Sequence, residues 1–417
     1  MMMFLYKPAT TPIYGQIQGN TVPVNDEVVM AISNERLDNL NSSVIIDSQP
    51  SNYRMKHRFD KLSVVGNIQI DLLDDFYNRL NKLKSDEHYI VKQGKSKDED
   101  IKDLYYYQIL IRSRHNKKQA IMINYMPTKI DFKDTPEYKG RGAIRIEISP
   151  QCYSTDDMTK LIVYLGKRKR LGKYIYQLLK RAWVTRIDYA LDIYGLRLSD
   201  YHIGYLAARS GEHYSNEGEL QGQKLGSSES EHHLSCYEKL DVRDDLVSLN
   251  ELPDEELQIE IANWRDIQHY RQFLRLEVRY KPRKKKLLLR NLHSLHNLLE
   301  RVQFYKKPLL AKKGDLEWEA LLSGMTLPEL RQFIKDTYPN TSKALLKRLG
   351  QRLKSNQIDI FNKDDLWCDL HLLIDKLGIL GKPQYWQLSH RQMWLKMWLK
   401  NLKKPIRQKI RRRRIIM

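Results

Sequence analysis

The chain has 417 residues, 41% of them hydrophobic and 10% aromatic, long enough for two or three domains with cores of their own. No apolar run reaches membrane-span length, and no amino-terminal stretch combines basic, apolar and small-residue regions, so the expectation excludes membrane-spanning and secreted classes. Three cysteines (Cys152, Cys236, Cys368) stand far apart without a Cys-x-x-Cys pair, which fits a reducing cytoplasm and speaks against a cysteine zinc knuckle.

The net charge is +21, and its distribution is uneven: residues from 281 onward hold 32 basic and 11 acidic side chains, which is the whole surplus. A neutral body joined to a polyanion-binding carboxy-terminal part is the expected plan, with nucleic acid as the partner.

Residues 1–55 lack a regular apolar period and hold Pro8, Pro12, Pro23 and Pro50, which predicts a loose lead-in with one hairpin. Leu72, Leu73, Phe76, Leu80 and Leu83 recur at helical spacing, predicting a helix over 72–84. The runs "LYYYQILIRS" and "QAIMINYM", separated by "RHNKK", predict a β-hairpin, and "AIRIEIS" a further strand. Thr155, followed by acids, predicts a helix start. That helical region leads into the strand "VTRIDYALDI". "LSDYHIGYLAARSG" reads as a short helix from Ser199 to Gly211, and "HLSCYEKL" and "FLRLEVRYK" as strands. The acidic stretch 242–260 is expected to be an insertion. From Leu287 onward leucine spacing is helical, with Thr326 capping "TLPELRQFIKDTY", and residues 403–417 form a basic tail.

Period-two reading of four strands gives one result repeatedly. An apolar face lies opposite a face carrying Glu147, Asp188 with Asp192, Glu277, or the pair Tyr237 and Lys239. Cross-strand Arg–Glu pairs on a wet sheet face would explain any one of these. Isolated carboxylates recurring between apolar neighbours suit a hard divalent cation, Mg²⁺ or Mn²⁺, which prefers oxygen ligands. A tyrosine hydroxyl can attack a phosphodiester when a metal withdraws charge and a cation favours the phenolate, and Lys239 shares the face of Tyr237. No Gly-x-x-x-x-Gly-Lys-[Ser/Thr] loop is present, nor the His-hydrophobic-His of the commonest rolling-circle nucleases, nor His-x-x-Arg before a tyrosine. His232–His233 and His293/His296 read as surface or core residues.

The ordered set "AIRIEISP", "VTRIDYALD", "HLSCYEKLD" and "FLRLEVRYK" resembles the gene II/gene X replication proteins of filamentous bacteriophages and, more distantly, the initiators of small rolling-circle plasmids. The resemblance covers roughly 100–290, with weaker agreement through "TLPELRQFI" and "TSKALLKRLGQRL". It implies an origin-specific nickase and ligase that keeps the 5′ end on a tyrosine. The nucleophile falls on Tyr237 with Lys239 assisting, the metal ligands on Asp188 and Glu277, and Glu147 is a weaker third because "EISP" departs from the family spacing; Asp192 is the reserve. Arg186, Arg275 and Arg279 would hold phosphates. The implied partners are duplex and single-stranded phage or plasmid origin DNA and the host's helicase and polymerase, in the bacterial cytoplasm. A gene X-like regulator that binds DNA without cutting it is the alternative. The expected fold is α+β: residues 56–285 form a nicking domain, an antiparallel sheet with helices on one face, and residues 286–402 a basic, mostly helical domain.

Overall fold

The computed structural model describes residues 13–17, 20–24, 45–48, 55–95, 104–128, 142–194, 196–215, 221–240, 272–283, 285–307, 324–386 and 395. The acidic stretch 242–260 and the basic tail lie outside these residues.

In chain order the strands and helices are β1 (Ile13–Ile17), β2 (Asn20–Val24), β3 (Ile45–Ser48), β4 (Met55–Gly66) and α1 (Ile70–Asn81), then β5 (Tyr89–Lys95), β6 (Tyr105–Ser113), β7 (Ala120–Pro127) and β8 (Ile144–Ile148). There follow α2 (Thr155–Leu165), α3 (Tyr174–Arg181), β9 (Trp183–Tyr194), β10 (Tyr201–Tyr205), β11 (Gly211–Ser215), β12 (Gln221–Leu225), β13 (His232–Leu240) and β14 (Gln272–Tyr280). The last are β15 (Leu287–Leu288), β16 (Val302–Lys306), α4 (Leu327–Thr337), α5 (Ser342–Asn356), β17 (Gln357–Ile358), α6 (Lys363–Cys368) and α7 (Leu370–Lys376). The chain is α+β with antiparallel pairing at every described ladder. No helix among the described residues is long and apolar enough to cross a membrane.

Two compact units interleave along the chain: one takes Met1–Asp60, Ile187–Lys281 and His296–Leu373, the other Lys61–Arg186, Pro282–Leu295 and Ile374–Met417. Strands β4 and β9 are each divided between them.

In the first unit the strands run in the order β11-β12-β13-β14-β9-β4, with β3 pairing β4. Leu234, Cys236, Leu274, Leu276, Val278, Ile187, Tyr189 and Leu191 are all buried. They occupy alternate positions, so the other positions of the same strands share the opposite face. The same unit holds a small sheet, β10-β16-β17, against which α4 and α5 pack.

In the second unit the order is β5-β6-β7-β8-β4. Ile109, Ile111, Ile121, Ile123, Ile144, Ile146 and Ile148 are buried at alternate positions. Helices cover that side: Tyr77 of α1 packs on Tyr125 with ring centroids 5.7 Å apart, and a Cβ on Gly66 would come within 2.6 Å of Leu178 of α3.

The hairpin β6–β7 and strands β8, β9, β13 and β14 lie where period-two reading places them. Ser154 rather than Thr155 caps α2, its hydroxyl accepting from the Asp157 amide, and the helical region breaks after Leu165, where Gly166 ends α2 and turns that include Gly172 (φ 63°) lead to α3. Two further readings differ from the structure. Residues 201–205 are a strand because they pair with β16, which buries His202 through Tyr205 on both faces, and Gly204 admits the Tyr305 ring, leaving 2.9 Å for a Cβ. The region after 287 is not helical throughout, since β15, β16 and β17 interrupt it; Val302 and Phe304 alternate as strand residues do.

Candidate active site on the polar face of the sheet

Register fixes the site. Tyr237 of β13 stands opposite Arg275 of β14, and Arg275 opposite Asp192 of β9. Two residues along, Ser235 opposes Glu277 and Glu277 opposes Ala190; two further, His233 opposes Arg279 and Arg279 opposes Asp188. Directly opposed residues of an antiparallel ladder share a face, so the period-two sets of three strands form one polar surface. Ala190, opposite Glu277, carries only a methyl group.

Asp60 of β4, Asp188 and Glu277 bring one carboxylate oxygen each within 4.8 Å of one another. Three carboxylates at this distance repel, and the acidities respond. Burial pushes the Glu277 carboxyl above its ordinary value, with the charges of Asp60 and Asp188 adding to the rise. Asp60 is likewise raised, by burial first; Arg275 offsets part of this and Asp188 reinforces it. Hard oxygen donors that destabilise one another without a counter-ion are the donor set a divalent cation neutralises, so the residues present fit a hard metal ion.

The Tyr237 hydroxyl donates to Glu277 Oε2 at 2.8 Å. Burial raises the phenol's pKa well above its usual value, and the Glu277 charge raises it further, so the resting hydroxyl keeps its proton. Lys239 Nζ lies over the Tyr237 ring, 5.2 Å from its centroid, a cation–π contact with the ring face. Burial and then Arg275 lower the lysine's own pKa. On β12, Gly222 faces Tyr237 and carries no side chain, and the ring of Tyr214 fills that space: a Cβ there would come within 2.3 Å of Tyr214 Cζ. The Tyr214 phenol is pushed up to about 12, by burial first and then by Cys236 and Glu277.

Arg275 is 4% exposed and grips Asp192 with two bonds, Nε to Oδ1 at 2.6 Å and Nη2 to Oδ2 at 2.9 Å. Arg58 of β4 reaches Asp192 Oδ2 from the other side. Burial raises Asp192, but Arg275 and Arg58 outweigh it and hold the carboxyl below its ordinary value. Asp192 is thus an ion-pair partner between two guanidiniums. Arg279 Nε sits 3.7 Å from Asp188 Oδ1 and is the more open of the two β14 arginines.

Of the residues singled out in the sequence, Tyr237, Lys239, Asp188, Glu277, Arg275 and Arg279 come together here. Glu147 and Arg186 belong to the second unit. Glu147 accepts from Arg145 Nε at 2.6 Å and pairs with Lys61 Nζ at 3.0 Å, so its charge is already answered by two cations. The third member of the acidic group is Asp60, which the sequence reading missed. Its signal is faint: in "HRFDKL" the aspartate is followed by a lysine, so it does not stand between apolar neighbours as the other carboxylates do.

No family model matches the sequence, and no curated protein does. Among solved structures, a rolling-circle replication initiator protein from Geobacillus stearothermophilus is similar at 13% identity and a TM-score of 0.30, over 66% of this chain and 98% of that one.

Proposed function

We propose that the chain is a metal-dependent DNA strand transferase that nicks and rejoins one strand at a replication origin to start rolling-circle replication. The observation that carries the reading is the Tyr237 hydroxyl donating at 2.8 Å to Glu277, beside the carboxylates of Asp60 and Asp188. Asp60, Asp188 and Glu277 would hold the cation; when bound, it supplies charge withdrawal from a phosphodiester and relief of the carboxylate repulsion.

The chain's own residues then have defined tasks. Glu277 Oε2 takes the phenolic proton as Tyr237 Oη forms its bond to phosphorus and the bond from phosphorus to the 3′ oxygen breaks. The departing 3′ oxygen takes up a proton and remains as a 3′-hydroxyl primer, while the 5′ phosphate stays on the tyrosine. One phosphodiester is exchanged for another, so rejoining needs no nucleotide hydrolysis. Lys239, over the phenol ring, stabilises the developing phenolate through the ring face, and Arg279 offers a partly open guanidinium to a phosphate. Arg275, committed to Asp192, acts as a support beside the tyrosine. Origin DNA and the host helicase and polymerase are the partners this reaction requires, and the bacterial cytoplasm is its place.

The test is covalent capture. End-labelled single-stranded origin oligonucleotide with Mg²⁺ should give a protein–DNA adduct mapping to Tyr237, and none with Tyr237→Phe. An adduct at another tyrosine would move the nucleophile. Metal-dependent cutting without an adduct would indicate hydrolysis, and DNA binding without cutting would leave the gene X-like regulator.

A further inference from the structure

Helices α4 and α5 form a helix-turn-helix. Thr326 caps α4, its hydroxyl accepting from the Glu329 amide while the Glu329 carboxylate accepts the Thr326 backbone N–H at 2.7 Å. Four residues, Tyr338–Thr341, turn the chain into α5. Leu330 and Ile334 of α4, Leu349 and Leu353 of α5, and Tyr305 of β16 share one buried cluster. The carboxyl end of α5 runs straight into β17, which pairs Ile358 with Phe304 and Gln357 with Tyr305 of β16. The helix is therefore held along its inner face and at both ends.

Its outer face is unlike that of an ordinary solvated helix. The sequence SKALLKRLGQRLKSN holds five Lys or Arg residues and no Asp or Glu. Lys343, Ala344, Lys347, Arg348, Gly350, Gln351 and Lys354 are exposed. Gly350 is the second observation. It lies inside a 15-residue helix, where glycine costs about 1 kcal/mol relative to alanine, and a Cβ there would meet nothing within 4 Å among the described residues. No packing among the described residues accounts for it, whereas the close approach of a partner's surface would.

We infer that α5 is a recognition helix that enters the major groove of duplex DNA and supplies base selectivity to the reaction proposed above, on whose choice of DNA as partner the inference rests. The major groove admits an α-helix, and such a helix reads bases from its first turns. Ala344, Lys347 and Gln351 lie one turn apart on that face, with side chains suited to a thymine methyl, a guanine edge and an adenine edge. Lys343 and Lys354 flank them at phosphate-contacting positions, and Gly350 allows the backbone to sit deep.

The experiment uses the full chain carrying Tyr237→Phe, in EDTA so that no strand is cut, with a pool of randomised duplexes sequenced after capture. The parent protein should enrich one short motif. Lys347→Ala and Gln351→Ala should each erase preference at adjacent motif positions by roughly tenfold. Lys343→Ala or Lys354→Ala should weaken all sequences alike and lower the salt slope by about 1. Gly350→Gln is the sharpest variant: it should raise thermal stability through helix propensity yet weaken duplex binding, a combination no purely structural role gives. An unchanged motif in Lys347→Ala and Gln351→Ala, or unweakened binding by Gly350→Gln, overturns the inference. Adduct formation at Tyr237 by the same variants in an otherwise wild-type chain, on single-stranded substrate, separates that failure from failure of the nickase reading. A parent protein that captures no duplex overturns the helix assignment, while the adduct assay still judges the chemistry.

Discussion

Strands β8 and β14 carry the same local pattern, Arg-x-Glu between apolar residues, as Arg145-Ile146-Glu147 and Arg275-Leu276-Glu277, and the two glutamates have opposite acid–base fates. Arg145 stands opposite Val65 and Asn124, neither of them charged, and turns to its own strand's Glu147. Arg275 stands opposite Asp192 and is taken by it, so Glu277 is left to Asp60, Asp188 and Tyr237. Burial raises both carboxyls, but Arg145 and Lys61 bring Glu147 below its ordinary value while neighbouring acids push Glu277 above. The residue opposite on the adjacent strand distinguishes the Arg-x-Glu that closes as an ion pair from the one whose glutamate is left among other acids.

The largest expected effect separates the two glutamates by activity. Glu277→Gln should lower DNA cleavage by roughly a thousandfold, the scale of a lost general base, while Glu147→Gln leaves it within a few-fold. Equal losses in a single-turnover cleavage assay would erase the distinction.

Next in size is the residue that diverts Arg275. Asp192→Ala removes the buried carboxylate that Arg58 and Arg275 share, at a cost of about 3 kcal/mol in chemical denaturation. A loss under about 1 kcal/mol would mean that the pair is not what keeps Arg275 from Glu277.

Glu147→Gln should cost about 1–2 kcal/mol at neutral pH by leaving Arg145 and Lys61 with a weaker acceptor. Its folded-state pKa is depressed, so the stability is present above the unfolded value and lost as pH falls through the folded one. The deficit of the variant should therefore shrink on acidification below about pH 4.

The smallest effect has the opposite sign. Glu277 is raised, so the folded, metal-free chain keeps a proton that the unfolded chain has released, and stability drains away as pH rises through the raised value. Metal-free Glu277→Gln should match or exceed wild type at pH 8, with the difference no more than about 1.4 kcal/mol per pH unit of separation. Added Mn²⁺ should raise the wild-type Tm more at pH 8 than at pH 5, because ion binding must expel protons from these carboxylates. A Tm gain independent of pH would place the ion elsewhere.

Alternation made much of the sheet legible in the sequence: Ile144/Ile146/Ile148 and Leu274/Leu276/Val278 mark strands because one face is apolar and the other charged. It also put Asp188, Glu277 and Tyr237 on polar faces. Pairing order was not legible, and pairing order is what separates Glu147 from Glu277 and recruits Asp60. β4 escaped notice because its buried Lys56, His57 and Arg58 look like a solvated run until their partners are known. The position of Lys239 over the ring, rather than at the hydroxyl, depends on rotamers and not on spacing. Residues 201–205 look helical in composition and become a strand through contacts with β16, which begins almost a hundred residues later.

The hydrogen bond between Tyr237 and Glu277 has a thermodynamic consequence. On the proposed chemistry Glu277 takes the proton of whichever hydroxyl attacks, the phenol in cutting or the 3′-hydroxyl in joining, and can return it to the departing oxygen, so neither step consumes a net proton. The balance between sealed and opened DNA should then be indifferent to bulk acidity even where both rates depend on it. The enzyme would act as a reversible hinge pin in the strand, its position set by DNA tension and the supply of 3′ ends, not by the solvent around it.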